Sequence, residues 1–194
     1  MSGLHQRLLK RAIDVVVATG ALTVSWPVIA VLGACVKATS EGPAIFAQTR
    51  VGKNGRPFVC YKLRTMAANT PQLASHEVGR SAVTPLGNIL RKTKLDELPQ
   101  LWNVLRGDMT LVGPRPCLTT QSALITCREE RGVFTVRPGI TGLAQVQGVD
   151  MSEPEALASI DAEYVASQSL IGDLRIMLQT FSGRGSGDRT RLDR

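Results

Sequence analysis

Aromatic side chains are scarce here, 4% of 194 residues. That scarcity argues against a single-stranded nucleic-acid binder, which needs rings for bases to stack on. Histidine is scarcer still, with only His5 and His76. The four cysteines, Cys35, Cys60, Cys117 and Cys127, form no C-x-x-C pair, and neither histidine lies near two of them. This spacing excludes an ordinary zinc site. Nor do four scattered cysteines make a secreted disulfide scaffold, which leaves a reducing compartment around the folded part. No internal repeat is present, so a solenoid or propeller is excluded. Acidic residues are the minority, 16 against 23 Lys and Arg, for a formal charge of +7. That excess calls for a polyanionic partner: nucleic acid, an anionic lipid surface or a phosphorylated substrate.

Hydrophobic residues are plentiful at 43%, enough for one domain with a core. The longest apolar run, Ile13 to Val36, has Asp14 as its only charge and at ~1.5 Å per residue is long enough to cross a hydrocarbon layer. Arg7, Lys10 and Arg11 precede it and Lys37 follows, so a straight span would leave one basic flank on the wrong side. Pro27 favours a kink, and Ser25 is placed to bond a carbonyl freed by it. Composition alone favours a straight single-span anchor; the flanks and the Ser25/Pro27 pair favour a helix that enters, bends and returns.

Two strands, Ala44 to Gln48 and Pro57 to Lys62, are expected around an Asn54-Gly55 turn. Lys62 and Arg64 follow, suited equally to gripping a phosphate or to a solvated strand end. Residues 67–82 read as a polar loop near a substrate entrance. Thr84-Pro85 opens a helix that ends in Arg91, Lys92 and Lys94, cations that a helix C-terminus favours on its own account. Leu98, Leu101, Trp102 and Leu105 recur at helical spacing and predict one buried face. In that reading Pro99 falls in the first turn, Gly107 caps the end, and Asp96 and Glu97 begin the helix. The two acids are explained as caps, or as a nucleophile and its helper beside a phosphate at a helix N-terminus. Arg115 and Arg137 each sit beside proline in a tight turn, fit either to orient a phosphate or to decorate a surface. Ser152-Glu153-Pro154-Glu155 reads as a capping box opening a helix to about Ser167, and a last helix runs from about Leu170 to Phe181. The latter packs on the core or lies at a lipid interface with Arg175 toward the headgroups.

In order, Lys62-x-Arg64-Thr65-Met66, the run Leu95 to Met109, Leu111-Val112-Gly113-Pro114-Arg115-Pro116 and the run Val136 to Val146 resemble the monotopic phosphoglycosyl transferases, bacterial sugar transferases of the undecaprenyl-phosphate glycosyl-1-phosphate type. The likeness extends from Lys10 to about Phe181. It implies a mixed, helix-rich α/β fold: a re-entrant membrane helix over 1–39, broken at Ser25 and Pro27, a cytoplasmic catalytic domain over 40–181 with short strands and interfacial amphipathic helices, and a disordered tail over 182–194. It implies transfer of a sugar-1-phosphate from a UDP-sugar to polyprenol phosphate with release of UMP, opening glycoconjugate synthesis at the cytoplasmic face of the bacterial inner membrane. By the same resemblance Asp96 is the nucleophile of a ping-pong reaction and a ligand of Mg²⁺, and Glu97 assists the acceptor. Lys62, Arg64, Arg91, Arg115 and Arg137 surround the phosphates or nucleotide, and Asp161 is an acidic position near them. Membrane lipid is an expected partner, nucleic acid is not, and a homodimer is compatible with the family. The competing reading is a membrane-anchored basic adaptor without catalysis, which explains the charge and the anchor but not two acids among Arg-bearing turns.

Overall fold

The computed structural model describes residues 3–70 and 82–183. Most of the expected polar loop (71–81) and of the expected disordered tail (184–194) lies outside them. The fold is mixed and helix-rich, as the sequence predicts. A long helix α1 (Gly3–Thr39) is followed by a hairpin of β1 (Ile45–Val51) and β2 (Pro57–Leu63). Then come α2 (Pro85–Thr93), α3 (Gln100–Arg106), β3 (Thr110–Val112), α4 (Ser122–Glu130), β4 (Gly139–Thr141), α5 (Leu143–Gln147), α6 (Pro154–Ser167) and α7 (Leu170–Phe181).

The hairpin is antiparallel, pairing Ile45 with Leu63 and Val51 with Pro57. Its turn uses the left-handed backbone that Asn-Gly tolerates, with φ 57° at Asn54 and 72° at Gly55. The second sheet joins β3 and β4 in parallel. Thr84 caps α2 by accepting from the Gly87 N–H at 2.9 Å, and Gly107 (φ 89°) closes α3 as expected.

Three readings need correction. Asp96 and Glu97 do not begin an α-helix: they occupy a 3₁₀ turn, Leu95–Glu97, and α3 starts at Gln100. Pro99 lacks an N–H, and its neighbours bond three residues back instead, Leu98 to Leu95 and Trp102 to Pro99. That shift rotates the buried face onto Gln100, Leu101, Asn103 and Val104, leaving Trp102 52% exposed. No capping box forms at α6 either, because Ser152 turns back to bond Asp150.

Helix α1 is long and apolar enough to cross a membrane, and only 6% of its most apolar window is buried. It continues through Pro27 without interruption, and Ser25 Oγ has no hydrogen-bond partner among the described residues, so the expected Ser25 bond is not made. A proline removes one rung of the ladder and leaves its neighbours standing.

The globular body touches one side of α1 near its start and again near its end. Near its start, Lys10 donates to Asp173 Oδ2 at 2.6 Å, and Asp14 Oδ2 accepts from the Thr110 hydroxyl at 2.6 Å. Arg11 donates to the carbonyls of Val104 and Leu105, satisfying the C-terminal end of α3. Ala18 then joins the core formed by α3, β3, α6 and α7, and Val36 closes a smaller cluster with Leu63 and Leu90. Tyr164, buried so that its hydroxyl titrates well above the usual range, sits 2.8 Å from both Asp173 Oδ1 and the Val112 carbonyl.

Candidate active site

The acidic pair is delivered by a sharp change of direction. Lys94 closes α2 in the left-handed conformation (φ 58°), and the chain turns at once into the 3₁₀ segment that carries Asp96 and Glu97. Asn103 ties this turn to the hairpin: fully buried, it donates to the Val59 carbonyl at 2.7 Å and accepts from the Tyr61 N–H at 3.1 Å. Lys62, one residue further along β2, is thereby held opposite the acids.

The two acids face different surroundings. Asp96, 6% exposed, lines a cavity of about 350 Å³ together with Gln48, Arg50, Lys62, Arg64 and Arg91; Pro43, Phe46 and Met66 form its apolar side. Glu97 Oε1 instead accepts from Arg115 Nη2 at 2.7 Å and Lys62 Nζ at 3.2 Å. Burial holds the Lys94 ammonium below its usual range, Glu97 opposing and Arg115 reinforcing the shift.

Two cavity arginines are incompletely bonded. Arg64 is 6% exposed and donates through Nη2 to Ser40, yet its Nε and Nη1 are buried with no partner among the described residues. Arg91 donates from Nε to Thr65 Oγ1 at 3.0 Å, and its Nη1 is likewise buried without a partner. A buried cationic donor without an acceptor is expensive, and an anion in this cavity would remove that cost.

Arg115 is positioned from behind. Gly139 N–H donates to the Pro114 carbonyl and Gly113 N–H to the Thr141 carbonyl, clamping the Gly113–Pro116 turn onto β4. A β carbon at Gly139 would run into the Gly113 nitrogen. The missing side chain at Gly139 therefore admits the neighbouring turn. Arg128, 1% exposed, donates to the Arg115 carbonyl at 2.8 Å and to Asp161 Oδ2 at 2.6 Å. Burial pushes the Asp161 carboxyl above its usual range, with Arg128 pulling it back.

The structure thus brings Lys62, Arg64, Arg91 and Asp96 to one cavity wall, with Glu97 and Arg115 joined to them through Lys62. Asp161 is buried against Arg128 outside that wall. Arg137 lies in a separate cleft and donates from Nε to the Gly107 carbonyl at 2.8 Å. Ser25 and Pro27 stand on α1, away from the cavity lining. Gln48, Arg50 and Arg128 are not foreshadowed by any motif, Arg128 preceding two glutamates and reading as surface charge, while Asn103 stands within the Leu95–Met109 run but inside an apolar helical pattern that gives it no role.

The bacterial sugar transferase family model matches residues 5–184. The chain belongs to that family. A UDP-glucose:undecaprenyl-phosphate glucose-1-phosphate transferase from Caulobacter vibrioides is 43% identical over 89% of this chain and 68% of its own length. An enzyme of the same name from Escherichia coli is 39% identical over 93% of this chain, and an undecaprenyl-phosphate galactose phosphotransferase from Salmonella typhimurium is 36% identical over 90%. The chain spans about 40% of the length of each of these last two. Family membership bears out the reading of the chain as an enzyme of the phosphoglycosyl transferase type rather than an adaptor.

Proposed function

We propose that this chain transfers a sugar-1-phosphate from a UDP-sugar to polyprenol phosphate and releases UMP, through a covalent intermediate on Asp96. The observation that carries this reading is one carboxylate in the same cavity wall as three buried guanidinium donors of Arg64 and Arg91 that have no partner among the described residues. Those donors fit a diphosphate, and Asp96 fits an attack on it. An Asp96 carboxylate oxygen forms a bond to the sugar-bearing phosphorus. The bond from that phosphorus to the bridging oxygen breaks, and UMP departs with the electron pair. A phosphate oxygen of the polyprenol phosphate then attacks the same phosphorus, breaking its bond to Asp96 and restoring the carboxylate. Glu97, held by Arg115 and Lys62, keeps both cations oriented and assists the incoming acceptor.

The residues suit Mg²⁺ carried by the donor rather than a resident ion. Among the described residues no three His, Cys, Asp or Glu cluster, and Mg²⁺ commonly takes one or two carboxylates plus substrate phosphates. Asp96 would supply the protein oxygen, and the ion would offset diphosphate charge.

The contacts of α1 support a re-entrant seating. From Lys10 to Val36 the helix runs about 39 Å at ~1.5 Å per residue, and the same globular body touches both ends. A helix with one body against both ends is hard to reconcile with a bilayer between them, which supports a segment that enters and leaves on one side of the membrane; the cytoplasmic side is part of the proposal. Cysteines placed at Ser2 and Glu41 should both react only from the cytoplasmic side, and periplasmic labelling of either would restore a straight span.

The chemical test is UMP release by purified protein with polyprenol phosphate and Mg²⁺, beginning with UDP-glucose and UDP-galactose because the relatives' names specify those sugars. Asp96→Asn should abolish release; near-normal turnover would refute the nucleophile.

A further inference from the structure

A second cationic cleft, about 70 Å³, is walled by Arg7, Lys10 and Arg11 of α1, Lys53 of the hairpin turn, and Arg137 before β4. Asp14 is the one carboxylate in its lining, and it is already engaged by the Thr110 hydroxyl and the Leu111 N–H. Lys10 is committed to Asp173 and the Val112 carbonyl. The side chains of Arg7 and Lys53, by contrast, make no hydrogen bond or ion pair among the described residues. Arg137 bonds through Nε to the Gly107 carbonyl, and a β carbon at Gly107 would lie 3.5 Å from Arg11 Nη2. Two guanidiniums thus converge on one residue and repel each other. A bound anion would relieve that repulsion.

The surroundings say what carries the anion. The first turns of α1 expose Leu8 (61%) and Val16 (71%). Gln168 of the cleft wall leads directly into α7, whose outer face exposes Ile171, Leu174, Leu178 and Phe181. Gln6 donates to the Gln168 carbonyl at 2.9 Å, pinning the starts of these two helices together. The cleft therefore sits where two apolar-faced helices begin, and basic pockets beside membrane helices on the cytoplasmic side bind phosphate headgroups. Asp96 is absent from its wall, so an acceptor bound here could not react.

We propose that this cleft binds the phosphate headgroup of an anionic membrane phospholipid, at a site separate from the donor cavity. The inference rests on α1 being seated in a membrane and not on the proposed chemistry, so failure of either leaves the other standing.

Native mass spectrometry of the full chain in detergent, titrated with phosphatidylglycerol or phosphatidylcholine, tests it. Phosphatidylglycerol should be retained preferentially, and the Arg7→Gln/Lys53→Gln double variant should bind it about twenty-five-fold more weakly, from about fivefold per cation removed. Arg131→Gln, a neutralisation at the exposed end of α4, should leave binding unchanged. Equal retention of the two lipids, or wild-type binding by the double variant, would overturn the proposal. Displacement of phosphatidylglycerol by millimolar inorganic phosphate would overturn the lipid assignment in favour of a free-anion site.

Discussion

Arg115 donates through Nη2 to Glu97 Oε1 at 2.7 Å, joining the proline-bounded turn after β3 to the 3₁₀ turn before α3. Lys62 reaches the same oxygen from the hairpin. Three segments distant in sequence meet on one carboxylate oxygen, with Asp96 next to it in the chain.

Replacing that carboxylate should separate the two halves of the proposed reaction. Glu97→Gln retains an acceptor oxygen but loses the charge that draws Arg115 and Lys62 together. Steady-state UMP release should fall by about 10²-fold, the scale of a lost acid–base group. The sugar-phosphate adduct on Asp96 should accumulate in intact-mass spectra, and unchanged steady-state turnover would count against the role given to Glu97.

The Arg128–Asp161 pair supports Arg115 from beneath and is almost wholly buried. Arg128→Ala leaves a desolvated carboxylate that already titrates high and should cost about 3–5 kcal/mol, measurable by chemical denaturation in detergent. Replacing both partners with leucine should recover part of that stability. Activity should not return with it, because the bond to the Arg115 carbonyl is gone in either variant.

At Gly87 a β carbon would overlap the Thr65 carbonyl. Gly87→Ala should therefore lift α2 off the end of the hairpin, costing about 1–3 kcal/mol as overpacking does. The same shift would pull Arg91 from Thr65 and raise KM for the nucleotide sugar. A wild-type KM together with a wild-type melting temperature would exclude that coupling.

Thiol labelling reads the packing directly. Burial raises the Cys60 and Cys117 thiols above the usual range, which lowers their thiolate fraction at any given pH as well as their access. At pH 8, maleimide should modify Cys127 and the exposed Cys35 and spare the other two until the protein is denatured. Reconstitution into bilayers should then slow Cys35 alone, because lipid excludes the water that its thiolate needs.

Local chemistry explains what could be read from the sequence. Asn54-Gly55, Thr84-Pro85 and Gly107 each impose a backbone state that few other residues accept, and each turn or cap forms where expected. Helices α6 and α7 also stand close to where they are expected, although the capping box at α6 does not form. Around Asp96 and Glu97 the same reasoning failed, since it placed Pro99 inside a helix when the missing N–H instead tightens the turn. Trp102 was misassigned for the same reason, its face being set by where α3 begins. Asn103 and Arg128 act through partners more than thirty residues away, and no local pattern announces such contacts. Gly139, next to Arg137-Pro138, marks a close backbone approach, and the neighbour is Gly113 of the preceding turn.

Because Ala18 and Val36 of α1 are buried against the body, the long apolar helix also serves as one wall of the enzyme's interior. Cutting the chain after Thr39 to obtain a water-soluble fragment would uncover Leu63, Leu90 and Met109 and strand Thr110 without its acceptor, Asp14. Such a fragment should aggregate rather than fold, and preparations of this protein should require detergent throughout, even for assays confined to the nucleotide-sugar half of the reaction.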